Sequence, residues 1–528
     1  MVSVWENCAK WLIRHPLVRD AILWSIPAIT FGLFLRGLLL WYSPLAYWGS
    51  DSYSYFSFAY RLLFDGQIAL YEKRRYVYPL LMVPIAALPG SPLFWTAWIQ
   101  HAFGLVSLIP LAYAVRKTLV YWRLWIVPIT VLFGGMPLVV WYEHELLGES
   151  FFINALLWAF AGWCAWEGRR NRVPFHPGWW WLFYVPFALC VLTKPAGRFF
   201  WPGLIIGLIL AVSWRSLRWK QAVALLLLLF ASWTMGQDKQ GARLLYSSSF
   251  PLTRLDTPLH AELKAEIAPM VTKARDRIDY YYLEDDDPKN FLLRGLRDPA
   301  FPAWAALSQN EDATGRAMKE LALEGIVGDP FSYALIAFSR TVGAVNPGMF
   351  KDVRFESRYY PDKFREQYDE MIASRGIRGV RLLRCLFNLP RGSEIPDWSV
   401  IETQLAPPRA EWPAALLNGY VDGYHSLIRF ATMAELRGVR KSIWEIRPSF
   451  AGWVGMLGLI LAVAIPRLRL TLGVWVLIVG GYAVGVHLVG SSNPRFYAPV
   501  WPVVLTVWFI PFDALIQFVR ARFGSSRP

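Results

Sequence analysis

Long apolar runs separated by short, basic turns fill most of the 528-residue chain. Runs that approach the ~20 residues needed to cross a bilayer occupy 21–43, 94–115, 124–142, 150–166, 178–193, 199–214, 221–235, 450–466, 470–489 and 496–519. About ten transmembrane helices are therefore expected. The stretch 237–448 breaks this pattern. Apolar positions at three- and four-residue spacing predict helices over 260–283 and 312–327, and Pro330, Pro347 and Pro361 punctuate the chain beyond them. No run of alternating strands stands out, and 331–345 is apolar enough to lie back on a membrane surface. A second polar interval, 51–90, is too long for a turn. Within it, 76–88 is apolar but interrupted by Pro79 and Pro84, which predicts a re-entrant or interfacial element. The expected fold is an all-α polytopic membrane protein. Its first seven helices lie in 1–236 with an extracytoplasmic loop at 44–93; a mainly helical extracytoplasmic domain comes next at 237–448, and the last three helices at 449–528.

Composition agrees with that pattern. Apolar residues make up 55% of the chain and charged residues 18%, against about a quarter charged in soluble domains, which excludes a cytosolic enzyme, a coiled coil or a disordered chain. The net charge of +15 is unevenly placed: 237–447 holds 29 Lys and Arg against 29 Asp and Glu, leaving 25 against 10 for the rest. The excess thus belongs to the membrane part, and nucleic acid is a poor explanation for it. With the amino terminus in the cytoplasm, the inward turns carry Arg116, Lys117, Arg123, Arg169, Arg170, Arg215, Arg218, Arg467 and Arg469, while the short outward turns carry only Lys194, Arg198 and Arg495. The positive-inside rule then puts both termini in the cytoplasm. Residues 1–20 lack the apolar core and small-residue site of a cleavable signal, so the first span is expected to be its own anchor. Four cysteines, two of them in apolar runs, offer no disulfide framework.

The acids placed outside in the membrane part are Asp51, Asp65, Glu72, Glu143, Glu145 and Glu149, all near outward span ends. Ionisable groups at that depth are costly and usually line a cavity or pair, so a shared polar pocket is expected. The outward cations Lys73, Arg74, Arg75, Lys194, Arg198 and Arg495 are exceptions to the positive-inside rule and need a local cause. A phosphate supplies one, since Lys offers a point charge and Arg a bidentate fork. Headgroup snorkelling explains any one of them and explains three separate segments less well. The 28 Trp are expected mostly as interfacial anchors, and His425 with the acidic run 285–287 as solvated surface.

Four stretches, in order, resemble the polyprenyl-phosphate-dependent glycosyltransferases of the GT-C superfamily, in the branch of protein O-mannosyltransferases and lipid A aminoarabinose transferases. Asp51-Ser52-Tyr53-Ser54-Tyr55 is similar to the first outside loop of that family. Glu72-Lys73-Arg74-Arg75-Tyr76-Val77-Tyr78-Pro79 is similar to the basic segment of the same loop. Glu149-Ser150 and Thr193-Lys194-Pro195 resemble a later helix start and a short outside turn, and Asn493-Pro494-Arg495-Phe496-Tyr497 resembles the opening of a late helix. The resemblance implies an inverting transfer from a polyprenyl-phosphate sugar donor to a glycan, glycolipid or protein hydroxyl, with Asp51 as catalytic base. It also implies Tyr55, Glu72, Lys73, Arg74, Arg75, Tyr78, Lys194, Arg198, Arg495 and Tyr497 as substrate-binding residues. Glu149 would orient the acceptor, or join Asp51 and His144 around Mg²⁺ or Mn²⁺. The resemblance further implies a bacterial inner membrane location, with the site facing the periplasm or exterior. Three features depart from the family: Ser52 stands where a second carboxylate is frequent, no Trp-Trp-Asp tripeptide occurs, and the insertion at 237–448 is large. A flippase without covalent chemistry is the competing reading, and charges gathered on one face favour chemistry over alternating access.

Overall fold

The computed structural model describes residues 2–48, 51–68, 75–167, 178–200, 249–275, 300–334, 353–355, 412–432, 450–488 and 498–523, with isolated positions between them. Among the described residues the regular secondary structure is helical, apart from one isolated parallel bridge between Tyr47 and Glu145. In chain order the helices of the first half are α1 (Val2–Arg14), α2 (Pro16–Tyr42), α3 (Ser52–Asp65), α4 (Val77–Ala86), α5 (Pro92–Val106), α6 (Leu108–Thr118), α7 (Trp122–Gly134), α8 (Pro137–Glu143), α9 (Gly148–Glu167) and α10 (Gly178–Thr193). The second half supplies α11 (Ala261–Arg275), α12 (Pro302–Ser308), α13 (Glu311–Gly328), α14 (Trp412–Thr432), α15 (Phe450–Ala464), α16 (Val474–Leu488) and α17 (Trp501–Phe523).

Among the described residues, three segments are long and apolar enough to cross a bilayer: Pro16–Tyr42, Pro92–Thr118 and Ala498–Phe523. The expected single span over 124–142 is instead two helices, α7 and α8, bent by 54° at Gly135–Met136. Counting the bent pair as one gives a fourth crossing, and the chain is a multi-pass membrane protein. Shorter apolar helices stand at Val77–Ala86, Trp180–Thr193, Val454–Ala464 and Thr471–Val486. Most of the expected spans 199–214 and 221–235 lies outside the described residues.

Lipid-facing helices leave their small residues for one another. Gly162 of α9 sits against the backbone of Leu182 in α10, and Gly458 of α15 against the carbonyl of Val507 in α17, so that a Cβ at either would collide with main chain. These close approaches let α9 and α10, and α15 and α17, run in contact around a core rich in aromatics such as Trp163, Phe183, Trp475 and Tyr482. Three of the charges expected in inward turns, Arg116, Arg467 and Arg520, meet partners around Asp20, Tyr121, Trp122 and Asp513. Arg116 reaches Asp20 at 3.4 Å and lies over Trp122, and Arg520 lies over Tyr121. Buried Asp513 of α17 accepts from the backbone amides of Val120 at 3.0 Å and Tyr121 at 2.7 Å, fastening the turn that enters α7.

The polar stretch contributes its own small core. Trp304, Met318, Leu321 and Ile267 close it, and Glu266 accepts from the amides of Ala303 and Trp304 at the start of α12. Asn310 caps α13 through its side-chain oxygen at 3.1 Å and 3.0 Å. Helix α14 behaves differently. Its Leu417, Val421 and Tyr424 pack into the core of the membrane helices, together with Val353 and Phe355.

Candidate active site

The loop that follows α2 is stapled to the turn that precedes α9. The Tyr47 amide donates to the His144 carbonyl at 2.6 Å, and the Leu146 amide returns to the Tyr47 carbonyl at 2.9 Å. One turn on, Ser52 donates its buried hydroxyl to the Leu146 carbonyl at 2.9 Å, which holds the start of α3, and Asp51 just before it, beside residues 144–149. Helix α3 ends at Gly66, whose φ of +62° is a left-handed conformation that suits glycine.

Helix α4 completes the loop by turning Tyr78 inward. Its ring stands edge-to-face on Tyr55 with centroids 5.1 Å apart, and its hydroxyl donates to Gln100 Oε1 at 3.3 Å. Gln100 in turn donates to the carbonyls of Glu143 at 3.2 Å and Glu145 at 2.8 Å. Tyr78 lies within electrostatic reach of Glu145 and Glu149. A Cβ on Gly148 would be 3.5 Å from both Thr193 and Tyr78, so the first turn of α9 fits between α4 and the end of α10. There Glu149 forms a buried ion pair with Lys194, the residue that comes directly after α10. A carboxylate in the first helical turn suits the positive end of α9, and the enclosed Lys194 ammonium is a compact point charge held beside it.

Beneath this site lies a polar chain that the hydropathy pattern hides. Arg36 of α2 grips the Glu143 carboxylate with both limbs of its guanidinium, Nε to Oε2 at 2.6 Å and Nη2 to Oε1 at 2.8 Å. His101 Nδ1 stands 3.1 Å from the same Oε2, and His101 Nε2 lies 3.0 Å from His144 Nδ1. All four residues are buried. Gly104 leaves the room that the carboxylate occupies, since a Cβ there would overlap Glu143. Glu143 therefore does not open onto the shared polar pocket expected from sequence: it is consumed by Arg36. The signal was an arginine inside the apolar run 21–43 and a Gln-His pair inside 94–115, since charges at that depth are rarely idle.

The structure thus brings Tyr55, Tyr78, Glu149 and Lys194 into one neighbourhood, with Asp51 moored next to it through Ser52. Arg75 is buried at the entry to α4. Arg198 falls in the 3₁₀ turn Pro195–Phe200, its side chain outside the described residues. Glu72, Lys73, Arg74, Arg495 and Tyr497 also lie outside the described residues. The expected metal grouping of Asp51, His144 and Glu149 does not fit: among the described residues no three His, Cys, Asp or Glu are placed to hold an ion. His144 faces His101, and Glu149 already holds the Lys194 cation, which opposes a second cation at the same carboxylate.

No protein-family model matches the chain, and no curated protein matches it. Two solved structures are similar. One is the archaeal oligosaccharyltransferase AglB from Archaeoglobus fulgidus in complex with an inhibitory peptide and a dolichol-phosphate, at 12% identity and a TM-score of 0.40, over 98% of this chain and 53% of that one. The other is ArnT from Cupriavidus metallidurans bound to undecaprenyl phosphate, at 12% identity and a TM-score of 0.33, over 96% of this chain and 81% of that one. The chain spans about half the length of the first.

Proposed function

We propose that this protein is an integral-membrane glycosyltransferase that moves a sugar from a polyprenyl-phosphate carrier to an extracytoplasmic hydroxyl acceptor. The observation that carries the reading is the buried Lys194–Glu149 pair at the start of α9, beside Tyr55 and Tyr78 and next to the moored α3 terminus at Asp51. A cation enclosed at a span end beside a carboxylate-bearing loop suits an amphiphile whose phosphate stays near the membrane while its sugar reaches outward. In the proposed step the acceptor oxygen attacks the anomeric carbon, the bond from that carbon to the phosphate oxygen breaks, and polyprenyl phosphate leaves. Asp51 takes the acceptor proton, Lys194 stabilises the charge on the departing phosphate, and the single displacement inverts the anomeric centre.

The test is direct. Purified protein in lipid nanodiscs, given labelled polyprenyl-phosphate sugar and a membrane extract, is expected to release polyprenyl phosphate and pass label to a new acceptor. Label that crosses the bilayer of a vesicle still attached to its carrier would make the protein a flippase. Lys194→Gln combined with Glu149→Gln, which leaves no buried carboxylate without its counter-charge, is expected to raise KM for the donor about 10- to 100-fold, because hydrogen bonds to charged groups are worth about 1.5–3 kcal/mol. Initial rates at varied donor concentration decide this, and an unchanged KM would remove Lys194 from phosphate binding.

A further inference from the structure

The bent span leaves main-chain groups to be satisfied at membrane depth. Pro137 has no amide to give, the Met136 amide turns back to the Phe133 carbonyl at 3.1 Å, and the Val139 amide goes to the Met136 carbonyl at 3.0 Å. The carbonyls of Leu132, Gly134 and Gly135 therefore need donors from elsewhere, and a span cannot leave them bare. Each has one. Arg36 Nη1 donates to Gly134 at 2.9 Å, Tyr420 to Gly135 at 2.6 Å, and Tyr424 to Leu132 at 2.9 Å. Both tyrosines belong to α14, some 290 residues downstream in the stretch that reads as polar from sequence. Gly135 permits the approach: a Cβ there would overlap the Tyr420 hydroxyl and sit 2.7 Å from Phe31, which stands edge-on to Tyr420 at 5.6 Å.

The bend has a destination. Helix α8 is only seven residues long and delivers the chain into the turn 143–147, where Arg36 holds the Glu143 side chain and Gln100 holds two carbonyls; α9 and Glu149 come immediately after. The angle at Gly135 thus sets where Glu149 and its partner Lys194 stand relative to α3 and α4.

We propose that Tyr420 and Tyr424 are positioning residues for the transfer site, acting as a two-point clamp that holds the α7–α8 bend and through it the 143–149 segment. The proposal rests on the transferase reading for its activity and on the hydrogen bonds alone for its geometry. Displacing reacting groups by about 1 Å costs about 100-fold in rate, so loss of the clamp is felt in turnover more than in donor affinity.

The experiment compares the full chain in nanodiscs with the double variant Tyr420→Phe/Tyr424→Phe, which removes two oxygens and no ring. Asn418→Ala serves as the control. It lies on the same helix, and its side chain pairs with the backbone of Phe355, at 2.9 Å and 3.3 Å, rather than with α7 or α8. The double variant is expected to lose about 10- to 100-fold in kcat with donor KM unchanged, and to exchange amide hydrogens faster over 132–145 alone. The control is expected to match the wild type in both. Wild-type kcat in the double variant, unchanged exchange over 132–145, or an equal loss of kcat in the control would each overturn the clamp. If the wild-type protein transfers no sugar the function falls by itself, and exchange then judges the clamp: a local rise upholds it and an unchanged profile ends it.

Discussion

Asp51→Asn is expected to lower the turnover of sugar transfer by about 10²- to 10⁴-fold, the usual worth of general-base assistance, while the protein still inserts and purifies as the wild type does. The substitution is close to isosteric. The Ser52 hydroxyl that moors α3 to Leu146 is untouched, and the Ser54 hydroxyl bonds the Asp51 main-chain carbonyl at 2.6 Å rather than the carboxylate. Both of these moorings survive the substitution, and the loss should fall on kcat. Single-turnover rates at saturating donor are the measurement. An Asn variant within about twofold of the wild type would take the proton-accepting role away from Asp51 and leave the site without its base.

Arg36→Met should have the second-largest effect, and it acts on folding. Breaking a buried ion pair by removing one partner costs about 3–5 kcal/mol, because the remaining charge is stranded, and total stability is only about 5–15 kcal/mol. Here the stranded group would be Glu143, with His101 as its nearest partner, and the Gly134 carbonyl would lose its donor as well. The variant is expected to fall largely into aggregate on size exclusion in mild detergent. Adding Glu143→Gln removes the stranded charge while keeping an acceptor for His101, so the double variant should regain most of the monodisperse peak. Equal behaviour of Arg36→Met and the wild type would mean that the pair is incidental to the fold.

Much of the membrane scaffold was legible because hydropathy is a local property. The helices at Pro16–Tyr42, Gly148–Glu167, Gly178–Thr193 and Val474–Leu488 lie close to runs visible in sequence, as does the helical phrasing realised in α11 and α13. Lys194 and Glu149 were legible as charges at outward span ends, although their mutual pairing was not, since 45 residues separate them. What stayed hidden depends on distant partners. Arg36 looks like an interruption in an apolar run until Glu143, 107 residues away, supplies its counter-charge. The sequence Gly134-Gly135-Met136-Pro137 does advertise a break, but the apolar residues on either side average over it and suggest one straight span. Helix α14 reads as polar because Asn418, Asp422 and His425 interrupt it. Its buried face is only a stripe of Leu417, Val421 and Tyr424, and the carbonyls that its tyrosines serve belong to another helix.

The link from Asp513 to the turn ahead of α7 bears on the order in which the chain is built. Its carboxylate arrives 393 and 392 residues after the two amides that it receives. During synthesis those amides must wait, solvated or transiently occupied, until α17 leaves the ribosome. Insertion of α7 is thereby provisional, and these two hydrogen bonds close only once α17 has been made. Nascent chains halted short of that residue would keep an open seam at the turn ahead of α7, a mark by which cellular proteolysis could tell them from chains that have passed it.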